Sequence, residues 1–456
     1  MARPGCRQMW WTGVRSAHGG QPAPWRSAQG QCILMWAALA LTLVSALAGC
    51  AMPGAQRGGA TVHVTPSPSP SPSVTATPVP CNPATQWPPP TNHVDLEAIA
   101  LAPSKTGPAT GWATGKLLPG LTQGNFTPTA VLYHLINGQW QRAPQTYPGA
   151  DLMTIAMGGP TDGWAASSTP LTGSAHPLVL HDTNGVWRPV DIPALDFILQ
   201  PTATILEANI FSVKIQLFGP DVGWMVAQTN YPRPDGGPLT LILRYDGHAW
   251  STLPTPTVPS TMTLFDVSAV SANELWMVGT DYGAASETTR FFHYVHQQWQ
   301  RAKQTFPLIT QSLTMASPTL GWAGDNDGDS SVPNQLLWYH NQQWAPFPIP
   351  SALTQHGAYP LGPILTPAPG VVWMETEQLS TQTPGLWQEA QNRWSPVPWP
   401  YTDIIPTALT QDTTGTLWGI ANIGHQQNCP PNLVYEVWQG VFLRQTHGHW
   451  TRQNLP

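Results

Sequence analysis

Apolar residues come in runs of about four to eight, separated by turn formers. Beyond the N-terminus, no stretch keeps a 3.6-residue period. This spacing predicts strands rather than helices. One unit shows the pattern. An apolar strand, DLMTIAM at 151–157, meets a turn rich in Gly, Pro, Thr and Asp, then a strand beginning GWAAS. A polar stretch leads to a third strand, PLVLHD at 177–182. Asn184-Gly185 marks a tight hairpin. The fourth strand starts at Trp187 and leaves through Pro189, compatible with a sheet edge.

The unit recurs. Its leading tryptophans are Trp112, Trp164, Trp224, Trp276, Trp322, Trp373 and Trp418, spaced 45 to 60 residues apart. A trailing tryptophan follows each after 21 to 32 residues: Trp140, Trp187, Trp250, Trp299, Trp344, Trp394 and Trp450. The units run 92–150, 151–200, 201–260, 261–309, 310–353, 354–403 and 404–456. Four antiparallel strands per unit make a propeller blade. The expected fold is all-β: a seven-bladed β-propeller of four-stranded antiparallel blades over 92–456.

A four-stranded sheet has two apolar faces, which neighbouring blades cover. A tryptophan at a fixed place fills the wedge between them. Burying about 200 Å² of indole at about 25 cal/mol/Å² is worth roughly 5 kcal/mol before entropy is subtracted. Packing is therefore the expected role of the fourteen repeat tryptophans. Trp87, Trp338, Trp387, Trp399 and Trp438 lie outside the pattern and are the better candidates for an exposed aromatic platform.

The first 49 residues carry four arginines and no acid, and residues 33–47 carry no charge. These are the regions of an export signal. The apolar run is short for a membrane span and ends in Leu47-Ala48-Gly49-Cys50. LAGC resembles the lipobox of bacterial lipoproteins, which implies cleavage before Cys50 and a lipid on its thiol. The long basic segment also allows a start at Met9. Residues 1–49 are read as a lipoprotein signal peptide. Residues 50–91 are read as a lipidated cysteine with a Pro/Ser/Thr-rich tether. The stretch 51–80 lacks the apolar residues to offset its ordering entropy, and its prolines favour an extended chain. The expected location is extracytoplasmic, anchored to the cell membrane by lipid, as a monomer.

Charge narrows the partners. Only 9% of residues are charged, and the chain from Cys50 onward has 14 basic against 24 acidic residues. Nucleic acid is disfavoured, since phosphate binding needs a basic face. Of five cysteines, Cys50, Cys81 and Cys429 remain after cleavage. With Cys50 acylated, an oxidising compartment favours a Cys81–Cys429 disulfide. It would clamp blade seven to blade one.

The repeat, in forms such as GPTDGWAAS followed by a YxxNGQW hairpin, resembles exported propellers of the sialidase-like and photosystem II assembly factor-like type. The resemblance implies the fold over 92–456 and leaves activity open. A sialidase needs clustered arginines, a tyrosine and an acid. Here Arg142, Arg188, Arg301 and Arg393 sit beside blade tryptophans on expected outer strands, and no complete Asp box is present. Glu375 and Glu377 share a strand face and are expected at a solvated strand end. No GxSxG, HExxH or phosphate loop appears. His293 and His296 are too isolated for a zinc site. Asp325, Asp327 and Asp329 alternate as oxygen ligands do in Ca²⁺ loops, without the EF-hand glycine or glutamate. A surface Ca²⁺ site and a solvated acidic hairpin both fit.

No catalytic residue and no other cofactor is expected. The expected role is a binding or scaffolding module without catalysis. Its partner would be a protein or a cell-wall glycan, held where the stretches 115–128, 228–238 and 421–433 meet. The alternative is a carbohydrate-active enzyme, a sialidase-like glycoside hydrolase with its site at the channel.

Overall fold

The computed structural model describes residues 94–456 except 104–107, 118–127, 171–176, 196–209, 233–237, 284–286, 311, 325–335, 348–350, 352–357, 369–370, 379–382, 391–392, 402–403, 405 and 430–432. The alternating segments form seven sheets, each of four consecutive strands in antiparallel order. They span 94–148, 152–189, 210–253, 262–306, 312–347, 358–397 and 406–454. The architecture is an all-β, seven-bladed propeller. First strands of successive blades approach one another around most of the ring, and the first strand of blade 7 (Pro406–Gln411) reaches that of blade 1 (Val94–Leu101). The ring therefore closes. Among the described residues, no strand is exchanged between the first and last blades.

The core lies between blades. Seven hydrophobic clusters each join residues of two neighbouring blades. All seven leading tryptophans are buried, and among the trailing ones only Trp299 and Trp450 are partly exposed. The leading indole of one blade meets the trailing indole of the next edge-on. Trp112–Trp187, Trp164–Trp250, Trp276–Trp344, Trp322–Trp394 and Trp373–Trp450 lie at 5.5, 5.4, 5.8, 5.5 and 6.2 Å between centroids. Trp418–Trp140 repeats the contact across the seam at 6.4 Å. Between blades 3 and 4, Tyr294 stands between Trp224 and Trp299.

The ring has two unlike faces. On one, the third and fourth strands join through tight turns such as Asn137-Gly138 and Asn184-Gly185, both with positive φ. That is the backbone of a type I′ hairpin. On the other face the connections run longer, as at 118–128, 190–209, 325–335 and 348–357.

Blade 7 departs from the sequence expectation there. Residues 421–433 were expected as a variable loop. Instead the second strand (Leu417–Cys429) and the third (Leu433–Thr446) pair continuously to Cys429↔Leu433. Their neighbours stop at Pro406↔Ala421 and Val441↔Asn454. The last eight pairs form a two-stranded ribbon about 26 Å long. Its polar HQQNCPPN sequence hid the pairing, because a ladder joins backbones whatever the side chains.

Candidate functional site

Register makes the repeat readable residue by residue. The fourth residue after a leading tryptophan lies along the second strand toward the long-loop face, and among the described residues it hooks the next blade in three blades. Asn422 of blade 7 accepts from Leu96 N at 2.8 Å and donates to Leu96 O at 2.9 Å. Gln228 of blade 3 donates to Leu264 O of blade 4. Lys116 of blade 1 donates to Asp151 Oδ2 beside blade 2 at 3.4 Å. Leu96 and Leu264 stand at matching bulges of their first strands. A bulge turns backbone groups out of the ladder, where a neighbour's side chain satisfies them.

The Lys116 hook gathers the one buried ionic cluster among the described residues. Lys116 Nζ lies 2.5 Å from Glu97 Oε1 and 3.4 Å from both Asp95 Oδ2 and Asp151 Oδ2. The Glu97 and Asp151 side chains are 6% and 5% exposed. Burial raises all three carboxyls, and Lys116 opposes it. Glu97, burdened further by Asp95, is pushed up to about 8. Burial pulls Lys116 down, but Glu97, Asp151 and Asp95 outweigh it and hold the amine above the ordinary lysine value. Glu97 therefore holds its proton, and Lys116 its charge, more tightly than either does in water. Lys214 and Asp266 form a more open pair at 2.9 Å, where Asp266 also accepts from Leu313 N of blade 5.

A second set lies toward the tight-turn face. The third-strand partner of each leading tryptophan is His134, His181, Arg244, His293, Trp338, Gln388 or Arg444. His134, His181 and His293 stack on their indoles at 4.0–4.2 Å. His181 pairs with Asp162 and His293 with Glu274, each at 2.8 Å. Burial lowers the pKa of His134; it also lowers that of His293, against the pull of Glu274. Arg444 covers Trp418, its guanidinium 4.8 Å from the ring.

Neither set was singled out from sequence, although both had a signal. The stacking partners all stand six residues before their trailing tryptophans, and Asp95-Leu96-Glu97 matches Asp151-Leu152-Met153.

The expected sites fare differently. Cys50, Cys81, Trp87, Asp325, Asp327 and Asp329 lie outside the described residues. Cys429 ends the blade 7 ribbon, with its backbone alone described. Among the described residues, no group of three or more His, Cys, Asp or Glu residues could hold a metal. Arg142, Arg188, Arg301 and Arg393 are exposed on fourth strands. Glu375 is half-buried, paired with Leu386, and Glu377 shares its face by register. The platform expectation is corrected for Trp387, which is buried, while Trp338 and Trp399 are half-buried. Trp387 is buried in the wedge around Trp322, Trp338 stacks on His340, and Trp399 packs on Tyr401 and Trp450. These positions fell outside the repeat yet still face a neighbouring sheet.

No family model and no curated protein sequence matches the chain. Solved structures of similar fold do. The β-propeller domain of the Trilobed protease from Pyrococcus furiosus, described as open velcro, is 7% identical with a TM-score of 0.49, over 79% of this chain and 97% of that one. A Mycobacterium tuberculosis puromycin-hydrolyzing peptidase is 12% identical with a TM-score of 0.49, over 80% of this chain and 54% of that one. A fucose-recognising lectin from the fungus Aleuria aurantia is 10% identical with a TM-score of 0.38, over 67% and 96%. Such likeness speaks to fold alone. A xyloglucanase, acylaminoacyl peptidases and a sialidase also match. The expectation of a chain without catalysis is not upheld: the matched structures are mainly enzymes, with lectins among them.

Proposed function

We propose that the chain is an extracytoplasmic lipoprotein that presents the long-loop face of its propeller to a partner outside the membrane. The carrying observation is the asymmetry of the ring. Tight turns close one face, while the other bears the long connections and the blade 7 ribbon. Variable connections on a rigid ring are where recognition concentrates. The basic N-terminus, LAGC at 47–50 and the proline-rich stretch at 51–80 supply the anchor and the reach. The partner is a protein or a cell-wall glycan. The proposal includes a Ca²⁺ site at Asp325, Asp327 and Asp329 and a Cys81–Cys429 disulfide.

The test has two arms. Cys50→Ala should release the protein from the membrane fraction; unchanged retention would refute the anchor. Replacing 424–438 by an Asn-Gly turn should lower retention of the full chain on native envelope fragments several-fold while its circular dichroism still reports a folded propeller. Equal retention would remove the loop face from the proposal.

Glycoside hydrolysis is supported by a different observation. Burial raises the Glu97 carboxyl beside Asp95 and Asp151, and a carboxyl that holds its proton more tightly suits acid catalysis. Its 6% exposure counts against substrate contact. Release of reducing sugar from cell-wall glycan, abolished in Glu97→Gln, would establish it in place of simple binding.

A further inference from the structure

We propose that the cleft at the seam of blades 7 and 1 binds a small carboxylate-bearing polyhydroxy ligand, the size of one acidic sugar. The seam holds the widest of the edge-on indole contacts, Trp418–Trp140 at 6.4 Å, and a cavity of about 280 Å³ opens beside it. Gly138 and Trp140 of blade 1 face Trp418, Phe442, Arg444 and Thr451 of blade 7 across it. The volume is at the lower end for small-molecule sites and suits one ring rather than a chain of them.

The walls are rigid. Phe442 stacks on Trp140 at 4.5 Å, and Gln453 clasps the same residue through Trp140 N at 3.3 Å and Trp140 O at 3.1 Å. Gly138 has φ +76°, and a Cβ there would meet only Arg444 Nη1, at 3.7 Å. The turn thus leaves room beneath the guanidinium.

Arg444 supplies the chemistry. Its counterparts are otherwise engaged: His181 and His293 by carboxylates, Arg244 by Asn273 Oδ1 at 2.9 Å. Arg444 is exposed, rests on Trp418, and has no carboxylate partner among the described residues. A guanidinium resting over an indole, with no carboxylate partner, has donors to offer a carboxylate in a two-point fork. Gln139 and Thr451, both exposed on the rim of the cleft, offer polar groups to hydroxyls. The cleft lies toward the tight-turn face, so the proposal stands apart from the loop-face function.

The experiment is isothermal titration calorimetry on the full chain with glucuronate, glucose and inorganic phosphate. Glucuronate should bind saturably, and glucose and phosphate each at least about tenfold more weakly, the scale of one lost charge-assisted contact. Arg444→Gln should weaken glucuronate by a similar factor, while Arg244→Gln, the equivalent in blade 3, leaves it unchanged. If Arg444→Gln fails to fold, Arg444→Lys, which keeps the charge and loses the fork, is read in its place. No glucuronate binding, phosphate binding as tight as glucuronate, or full affinity in the Arg444 variant would each overturn the proposal.

Discussion

Blade 1 is gripped on both flanks through the same position of the repeat, and the two grips differ in chemistry. Toward blade 2, Lys116 reaches Asp151; from blade 7, Asn422 reaches Leu96 N and O. The amide is neutral and offers one acceptor and one donor to one backbone donor and one acceptor. Both buried groups are satisfied without a charge. Lysine brings a charge that has to be matched, and three carboxyl groups have gathered around it. The chain-connected junction thus carries an ionic grip that depends on pH. The seam, which the chain does not cross, carries a neutral one that does not.

The largest effect should come from breaking the ionic grip. Lys116→Met leaves buried carboxylates uncompensated and is expected to cost about 3–5 kcal/mol at neutral pH. Urea unfolding checks this. The cost should shrink in acid, where the carboxyls take up protons. In the native protein, burial lifts Glu97 from 4.5 to about 8, so the fold holds this proton more tightly than the unfolded chain does. The associated stability is complete below about pH 4.5 and is lost as pH rises through about 8. Glu97→Gln should flatten that decline. An unchanged melting-temperature profile would mean that Glu97 titrates like a free carboxyl.

Next in size is the neutral grip. Asn422→Leu strands Leu96 N–H and C=O in a buried place and should cost about 1–3 kcal/mol. Hydrogen exchange at Leu96 should quicken while the blade 2 first strand (Leu152–Gly159) keeps its protection. The loss should be equal at about pH 5 and about pH 8. A pH-dependent loss would show that the seam shares the charge network across blade 1, and the contrast between the flanks would fail.

The same contrast shows what the sequence could and could not say. Indole spacing marked the seven blades, because each wedge demands one large side chain at one height. The hairpins were legible from Asn-Gly pairs, because positive φ restricts the residues that fit. The grips were not. Lys116, Gln228 and Asn422 share a register position but no residue type, and their partners are backbone groups or acids in another blade. Glu97 reads as an ordinary strand-edge acid until the bulge at Leu96/Ala98 sets it beside Lys116. Trp387 was misjudged for the opposite reason. Lying outside the repeat suggested a free surface, yet both faces of a blade are buried.

The smallest effect separates local strain from seam coupling. Gly138 and Gly185 occupy the same turn position in blades 1 and 2, with φ +76° and +80°. Alanine at either is forced into the left-handed region, which costs about 1–2 kcal/mol. A Cβ at Gly185 would meet nothing within 4 Å, whereas at Gly138 it would lie 3.7 Å from Arg444 Nη1. That is an ordinary contact with the end of a flexible side chain. The two Gly→Ala variants should therefore lose equal stability in matched denaturation curves. A markedly larger loss for Gly138→Ala would mean that Arg444 is locked against the turn, making the seam a rigid contact that extends out to its rim.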